Sequence, residues 1–415
     1  MIRRRKSDQW SVFRWQVADF RLQCHSDEGG ISIQIIKNIN LLMRNYLKAI
    51  FLLLPLLLNA QNTKITILDA LDKKPLTGIQ LLSENGSSIG ISNSKGEFEV
   101  ESGFFQQSGI KSIMIYDSDY LPIEYKIDEI PNIVYLEKIW HYELEPIVII
   151  KKLSEKYFAL KGYIRSWQLV NNKLVKYGDA LIEYHIPYEN TNNDFATGIK
   201  NYAKEYRTFK IDSIKQKSRI ISISRFDNFL NFQIPKRDDL ARGWKRYKLK
   251  QIKDSLYTIF EEGKNVGYAI NDKDDKASEI NISQSFEGED AMKFLFWKFS
   301  GSYKYIEKWK GKGETRHLSY LFSSEKTLVE TKTKGIFNAV ETINEIFIDD
   351  KIIYNDKISE KYKSYIDKDR SFYNTEYWKE QIKKHPLPSA ISEQLINVNE
   401  NKNTLRTLHL KKNTP

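Results

Sequence analysis

The chain is poor in the residue types that most often announce a chemistry. A single cysteine in 415 residues excludes a disulfide framework and any Cys-rich zinc or iron–sulfur site. The histidines, His25, His141, His185, His317, His385 and His409, are six in number, and none pairs with another at metal-ligand spacing. The one His-x-x-Glu, His25 to Glu28, lies in the extreme N-terminal segment, and no His-Glu-x-x-His occurs. A zinc carboxypeptidase is therefore unsupported. No glycine-rich phosphate loop of either common kind is present, and no cofactor is expected. No apolar run is long enough to cross a bilayer, which needs about 20 residues.

What is present is globular composition. Hydrophobic residues make up 41% and charged residues 29%, with a formal net charge of +11. The longest apolar run is Ala49-Ile-Phe-Leu-Leu-Leu-Pro-Leu-Leu-Leu58. Arg44 and Lys48 precede it and Asn59-Ala60 follow. A positive flank, a short apolar stretch and a small exit residue describe a secretory signal peptide. Met43 stands where a start residue belongs, so residues 1–42 are expected to be a mis-assigned upstream extension and 43–60 the leader. Residues 1–42 hold seven basic and four acidic residues, and the leader adds two basic ones. A mature chain from Gln61 then carries about +6 and no cysteine. An exported chain in the periplasm, or at the periplasmic side of the outer membrane, is the expected location, with no transmembrane helix after processing.

From residue 61 to 152, short apolar runs are broken by turn residues. Ile65 and Ile67 alternate with Lys64 and Thr66, and Phe98, Ile110 to Tyr116 and Tyr120 to Ile127 follow. Asp72-Lys-Lys-Pro75, Glu84-Asn-Gly86, Ser94-Lys-Gly96 and Asp117-Ser-Asp119 separate them. About seven strands at 8–12-residue spacing predict a small antiparallel β-sandwich. Asn85-Gly86 predicts a type I′ hairpin, in which both central residues need φ > 0.

These residues resemble a known family. Asp69, Lys74-Pro75-Leu76-Thr77-Gly78-Ile79, Ile89-Gly90, Gly96-Glu97-Phe98 and Tyr120 look like the carboxypeptidase regulatory-like domain, a transthyretin-like β-sandwich common at the front of exported Bacteroidetes proteins. The exit, Val134-Tyr-Leu136 and Glu143 to Ile149, resembles the strand that closes such domains. The likeness covers roughly 85 residues. Asp119 stands where the family usually has glycine before the aromatic. The resemblance implies an accessory module, with no peptidase activity.

Residues 153–372 continue with longer alternating segments. Ala180, Ile182, Tyr184 and Ile186 alternate with Asp179, Glu183 and His185, and Ile280 and Ile282 with Glu279 and Asn281. This predicts strands with one wet and one buried face. Asn171-Asn172 and Glu262 to Asn265 read as hairpin tips. Nine or ten antiparallel strands exceed what a flat open sheet holds easily, so a larger curved antiparallel sheet, a half-barrel, is expected. Lys304, Glu307 and Lys308 argue against the lipid-facing band of a transmembrane barrel. Residues 373–400 predict short C-terminal helices, one around Tyr377-Trp378-Lys379 and one from Ala390 to Leu395, and 401–415 a polar tail. Tyr157 to Tyr163, Lys176 to Leu181 and the Trp378 helix resemble the partner domain behind such sandwiches, similar in pattern to the lipoprotein-carrier half-barrel.

Several constellations can be weighed for chemistry. Gly86-Ser-Ser88-Ile-Gly90 matches the hydrolase Gly-x-Ser-x-Gly pattern, but that motif needs a strand–turn–helix elbow, and here it bridges two short strands. The acidic clusters at Asp272–Asp275, Glu287–Asp290 and Asp349-Asp350 read as solvated tips. From Asp272 the sixth position is Ala277 and the twelfth is Ser283, which do not fit a calcium loop. The most basic stretch supplies Lys236, Arg237, Arg242, Lys245, Arg246 and Lys248 as a candidate anionic-partner patch. Export makes nucleic acid an improbable partner and favours lipid headgroups or an acidic protein. Phe294, Phe296 and Trp297 are so apolar that they read as a buried wall or cavity lining, and with Trp378 they form the candidate ligand groove. The expectation is a non-enzymatic envelope protein with an apolar groove for a lipid, acyl chain or segment of a partner such as an outer-membrane protein. A glycan-binding or uptake accessory and an unrecognised hydrolase are the alternatives.

Overall fold

A computed structural model describes residues 63–100, 103–139, 157–187, 200–210, 247–294, 297–331, 335–354 and 377–400, with gaps at 275, 289 and 314–315, and a few residues between 230 and 235. The residues expected to form the upstream extension, the leader and the tail lie outside that set. The described residues all belong to one compact unit.

The first seven strands are β1 (Thr63–Asp69), β2 (Gln80–Ser83), β3 (Ser88–Ile91), β4 (Glu97–Val100), β5 (Ser112–Asp117), β6 (Tyr120–Lys126) and β7 (Ile133–Leu136), with the short helix α1 (Phe104–Ser108) before β5. They form a three-stranded sheet, β4-β1-β7, and a four-stranded sheet, β3-β2-β5-β6. One pair departs from antiparallel order: β7 returns beside β1 in parallel register. Period-2 alternation places Ile65, Ile67, Leu81, Phe98, Ile113, Ile115, Val134 and Leu136 between the sheets, where all are buried. Yet β2 and β5 are buried on both faces: Gln80, Leu82, Met114 and Tyr116 are covered as well. Their outer face is packed against the second layer of the molecule.

The large sheet contains β8 (Tyr157–Val170), β9 (Lys173–Pro187), β10 (Lys200–Lys210), β11 (Tyr247–Lys253), β12 (Leu256–Glu261), β13 (Lys264–Asn271), β14 (Ala277–Ser285), β15 (Met292–Phe294), β16 (Trp297–Lys310), β17 (His317–Thr331) and β18 (Gly335–Tyr354). Its order is β10-β9-β8-β18-β17-β16-β14-β13-β12-β11, with β15 added on β16. Its neighbours are antiparallel, and β10 and β11 end the path without pairing to each other. The fold is thus mainly β, a small sandwich and a large open antiparallel sheet. Two short helices close the described chain, α2 (Tyr377–Lys384) and α3 (Ser389–Glu400).

The expectation of one wet face per strand is corrected here. Along β9 the polar alternates Asp179, Glu183 and His185 are as buried as Ala180, Ile182 and Tyr184. The cause is a second layer on what a sequence pattern marks as the solvent face. The sandwich and the C-terminal helices pack on that side, which we call the front face. Leu82, Met114 and Tyr116 of the sandwich share one apolar cluster with Trp167, Tyr320, Phe322 and Phe347 of the sheet and with Leu387, Ile391 and Leu395 of the C-terminal segment.

Turn chemistry also differs from expectation in one place. Gly86 has φ +77°, but Glu84 and Asn85 do not share the positive φ that type I′ requires. The Gly86 N–H donates to Ser83 O (2.8 Å) and the Ser83 N–H to Ser87 O (2.9 Å). This is the three-residue hairpin, a type I turn ending in a left-handed glycine. Paired positive φ values occur instead at Asn171-Asn172, between β8 and β9, and at Glu262-Gly263, between β12 and β13. Gly86 has a second duty. Its carbonyl accepts a hydrogen bond from Trp167 Nε1 at 2.9 Å. A Cβ there would collide with Ile391 Cδ1 and lie 2.8 Å from Trp167 Nε1, so sandwich, sheet and α3 meet at this glycine. Gly86→Ala combines backbone strain with overpacking and should cost roughly 2–4 kcal/mol, read as a lowered midpoint in equilibrium chemical unfolding.

Candidate functional site

The front face is held by polar anchors as well as by apolar contact. Arg165 on β8 is 1% exposed, and its Nε lies 2.5 Å from Oε2 of Glu345 on β18. Its NH1 donates to the carbonyls of His385 (2.5 Å) and Pro386 (3.2 Å) just after α2. Tyr320 donates to Glu345 Oε1 at 2.7 Å and accepts from Gln80 Nε2 of the sandwich at 2.5 Å. Burial opposes the Arg165 charge, but Glu345 keeps the guanidinium protonated, above its ordinary value. One ion pair therefore reaches the sheet, the sandwich and the C-terminal segment.

Three further anchors lie along the sandwich. Lys308 and Lys310 of β16 pair with Asp117 and Asp119 at the β5–β6 turn. Burial works against the Lys308 charge, yet Asp117, Glu279 and Asp119 together hold the ammonium above its usual range. Glu279 of β14 accepts from Tyr268 (2.9 Å) and from Thr77 of the sandwich (3.3 Å), and burial pushes its carboxyl up. Glu341 of β18 accepts from Ser87 Oγ (2.5 Å), Ser88 N (2.8 Å) and Ser324 Oγ (2.9 Å). Ser88 is thus a residue of β3 seated on a carboxylate, with no strand-to-helix elbow around it.

The opposite face of the sheet, the back face, is chemically different. Near β8 and β9 it is closed by Leu160, Ile164, Ile182, Tyr184 and Ile346, packed with Leu230 and Ile234. Toward β11–β16 it carries Ile259, Ala269, Ile280 and Ile282, overlaid by the partly buried Tyr247, Leu249, Tyr257, Tyr303 and Tyr305. Alternation along β16 places Trp297, Phe299, Tyr303, Tyr305 and Trp309 on this face, all half-buried. Tyr303 and Tyr305 stack with centroids 6.0 Å apart. Between Tyr305 and Trp309 sits Glu307, fully buried. Tyr305 donates to its Oε1 at 2.5 Å and Trp309 Nε1 to its Oε2 at 3.1 Å. The Arg316 guanidinium lies 5.9 Å from the Trp309 ring centroid. An apolar floor, a half-buried aromatic row and one buried carboxylate make this the candidate binding face.

The residues expected to form a groove are placed unevenly. Trp297 begins β16, and Phe294 is its cross-strand partner in β15. Phe296 lies outside the described residues. Trp378 lies in α2, but the residue that follows α2, His385, and the packed residues Leu387, Ile391 and Leu395 beyond it are on the front face. The helices accordingly accompany the sandwich and not the aromatic row. Of the basic patch, Lys248 is exposed on β11 between the half-buried Tyr247 and Leu249. Lys236, Arg237, Arg242, Lys245 and Arg246 lie outside the described residues. The acidic tips are tied locally: Asp272 accepts from the amides of Asp274 and Lys276 and pairs with Arg316, Asp290 pairs with Lys264 and Asp349 with Lys384.

Two features escape a reading of the sequence. The row Tyr303, Tyr305, Glu307, Trp309 is legible in retrospect, because lysines at 304, 308 and 310 alternate with it. The Arg165–Glu345 pair is not, because 180 residues separate the partners. No family model matches the sequence, and no curated protein matches it. Removing one member of a buried ion pair leaves the other charge unpaired at a cost of about 3–5 kcal/mol, whereas replacing both by apolar residues costs far less. Arg165→Ala should show the larger loss in chemical denaturation, and Arg165→Met combined with Glu345→Leu a clearly smaller one.

Proposed function

We propose that the chain is a non-enzymatic protein of a Bacteroidetes-type cell envelope, exported by the leader at 43–60, that holds a lipid or acyl chain on the back face of its large sheet. The observation that carries this reading is the half-buried row Trp297, Phe299, Tyr303, Tyr305 and Trp309 above the floor of Ile259, Ala269, Ile280 and Ile282. Ligand sites are mostly apolar with a few placed polar groups, and Glu307, held by Tyr305 and Trp309, is such a group. The sandwich acts as an accessory module. It occupies the front face and leaves ligand contact to the other side of the same strands.

The tyrosine hydroxyls along the row favour a second reading, a glycan-binding accessory, since stacked aromatics with polar rims also suit sugars.

Mass spectrometry of the purified protein should find a bound lipid. Affinity for a fluorescent fatty acid should fall about tenfold in Tyr305→Ala, as expected when roughly 1.4 kcal/mol of apolar contact is lost. A lipid-free protein that binds on a glycan array, with binding abolished by Trp309→Ala, would instead establish the glycan reading.

A further inference from the structure

The lysines of β16 that reach the sandwich are not equivalent. Lys308 and Lys310 each end on a carboxylate. Lys304 is the most deeply placed of the three, 9% exposed, but its ammonium donates to a backbone carbonyl, that of Ser88 in the β2–β3 hairpin. Among the described residues no carboxylate lies within the 4.0 Å of an ion pair from it. The nearby acid, Glu341 of β18, is already engaged by Ser87, Ser88 and Ser324. From β17, Lys326 adds a like charge. From β14 the cross-strand neighbour is the uncharged Ser283, and β3 contributes only the Ser88 carbonyl. A buried ammonium with one neutral acceptor and a cationic neighbour is poorly solvated.

We propose that Lys304 is a pH-sensitive element of the sandwich's seat: while protonated it weakens the docking of the β2–β3 hairpin on the sheet, and once it loses its proton the hairpin seats more tightly. The neutral amine still has an N–H for the Ser88 carbonyl, so deprotonation removes the cost of burying charge and keeps the hydrogen bond. Burial brings the lysine down to about 8, with Glu341 opposing and Lys326 adding to the fall. When the hairpin lifts off, the solvated side chain returns to about 10.4. Between those values the open state binds a proton that the docked state does not, so docking strengthens as pH rises. Below about 8 both states are protonated and pH has no leverage through this group. The gain approaches tenfold per pH unit above about 8 and is complete near 10.4. This device is independent of what the back face binds.

Hydrogen–deuterium exchange of the full chain, followed at the amides of residues 81–91 and corrected for the intrinsic pH dependence of exchange, reads the opening equilibrium directly. Between pH 8.5 and 9.5 the opening constant should fall about sevenfold in the wild type. In Lys304→Met it should be independent of pH over that range. Lys326→Met, a change at a half-exposed position, removes the like charge and should move the onset to higher pH, which a purely structural role for Lys304 would not do. A wild-type opening constant that stays flat from pH 7 to 9.5 overturns the proposal. So does a wild-type slope preserved in Lys304→Met, or an onset unmoved in Lys326→Met.

Discussion

Arg165 cannot be buried on its own. Its guanidinium is stable at 1% exposure because Glu345 neutralises it and the carbonyls of His385 and Pro386 take two of its donor contacts. Tyr320 and Gln80 carry the same network into the sandwich. Arg165 and Glu345 face each other on neighbouring strands of the sheet, but the remaining contacts come from the sandwich and the C-terminal segment, so the network around the pair is complete only when all three parts are assembled together. The net stabilisation from such a pair is small, but the cost of leaving it incomplete is large. Its effect is therefore to specify one arrangement of the three parts, while the burial of Trp167, Tyr116, Phe347 and Ile391 around it supplies the driving force.

The same division of labour runs along β16. Its even positions, Lys304, Lys308 and Lys310, reach forward to the sandwich, and its odd positions, from Trp297 to Trp309, line the back face. A strand with period-2 alternation can serve two neighbours at once. Here one neighbour is the chain's own first domain, bound by charge and backbone contacts. The other face holds half-buried aromatics and the enclosed Glu307. The front face is occupied by the sandwich and the C-terminal helices, and the aromatic row lies on the opposite side of the same strands.

Hairpin geometry sets how the sandwich approaches. The left-handed Gly86 ends the β2–β3 turn so that its carbonyl meets Trp167 and its bare Cα admits Ile391. At Asn171-Asn172 the paired positive φ values make the two-residue connection between β8 and β9, whose pairing shifts by one residue between Gln168 and Leu169 and then runs on to Tyr157 opposite Pro187. The general expectation that Asn-Gly and Asn-Asn mark hairpins holds at both places. The turn types differ: a three-residue turn at Gly86 and a two-residue turn with paired positive φ at Asn171-Asn172.

The sequence by itself determined the local elements. Alternation in Ile65–Ile67, Ala180–Ile186 and Ile280–Ile282 is a property of neighbouring residues, and it was enough to read a small sandwich, a larger antiparallel sheet and short C-terminal helices. The composition likewise carried the scarcity of cysteine and of metal-ligand spacing. Tertiary structure decided which faces are wet. Asp179, Glu183, Glu341 and Glu345 look like solvent positions in any local pattern, and only the docking of a second layer makes them buried. It also decided that the C-terminal helices lie with the sandwich and away from Trp297, and that Lys304 lacks the carboxylate partner its neighbours possess. Such pairings depend on residues 180 to 254 positions apart in the chain, and no short-range periodicity encodes contacts over that distance.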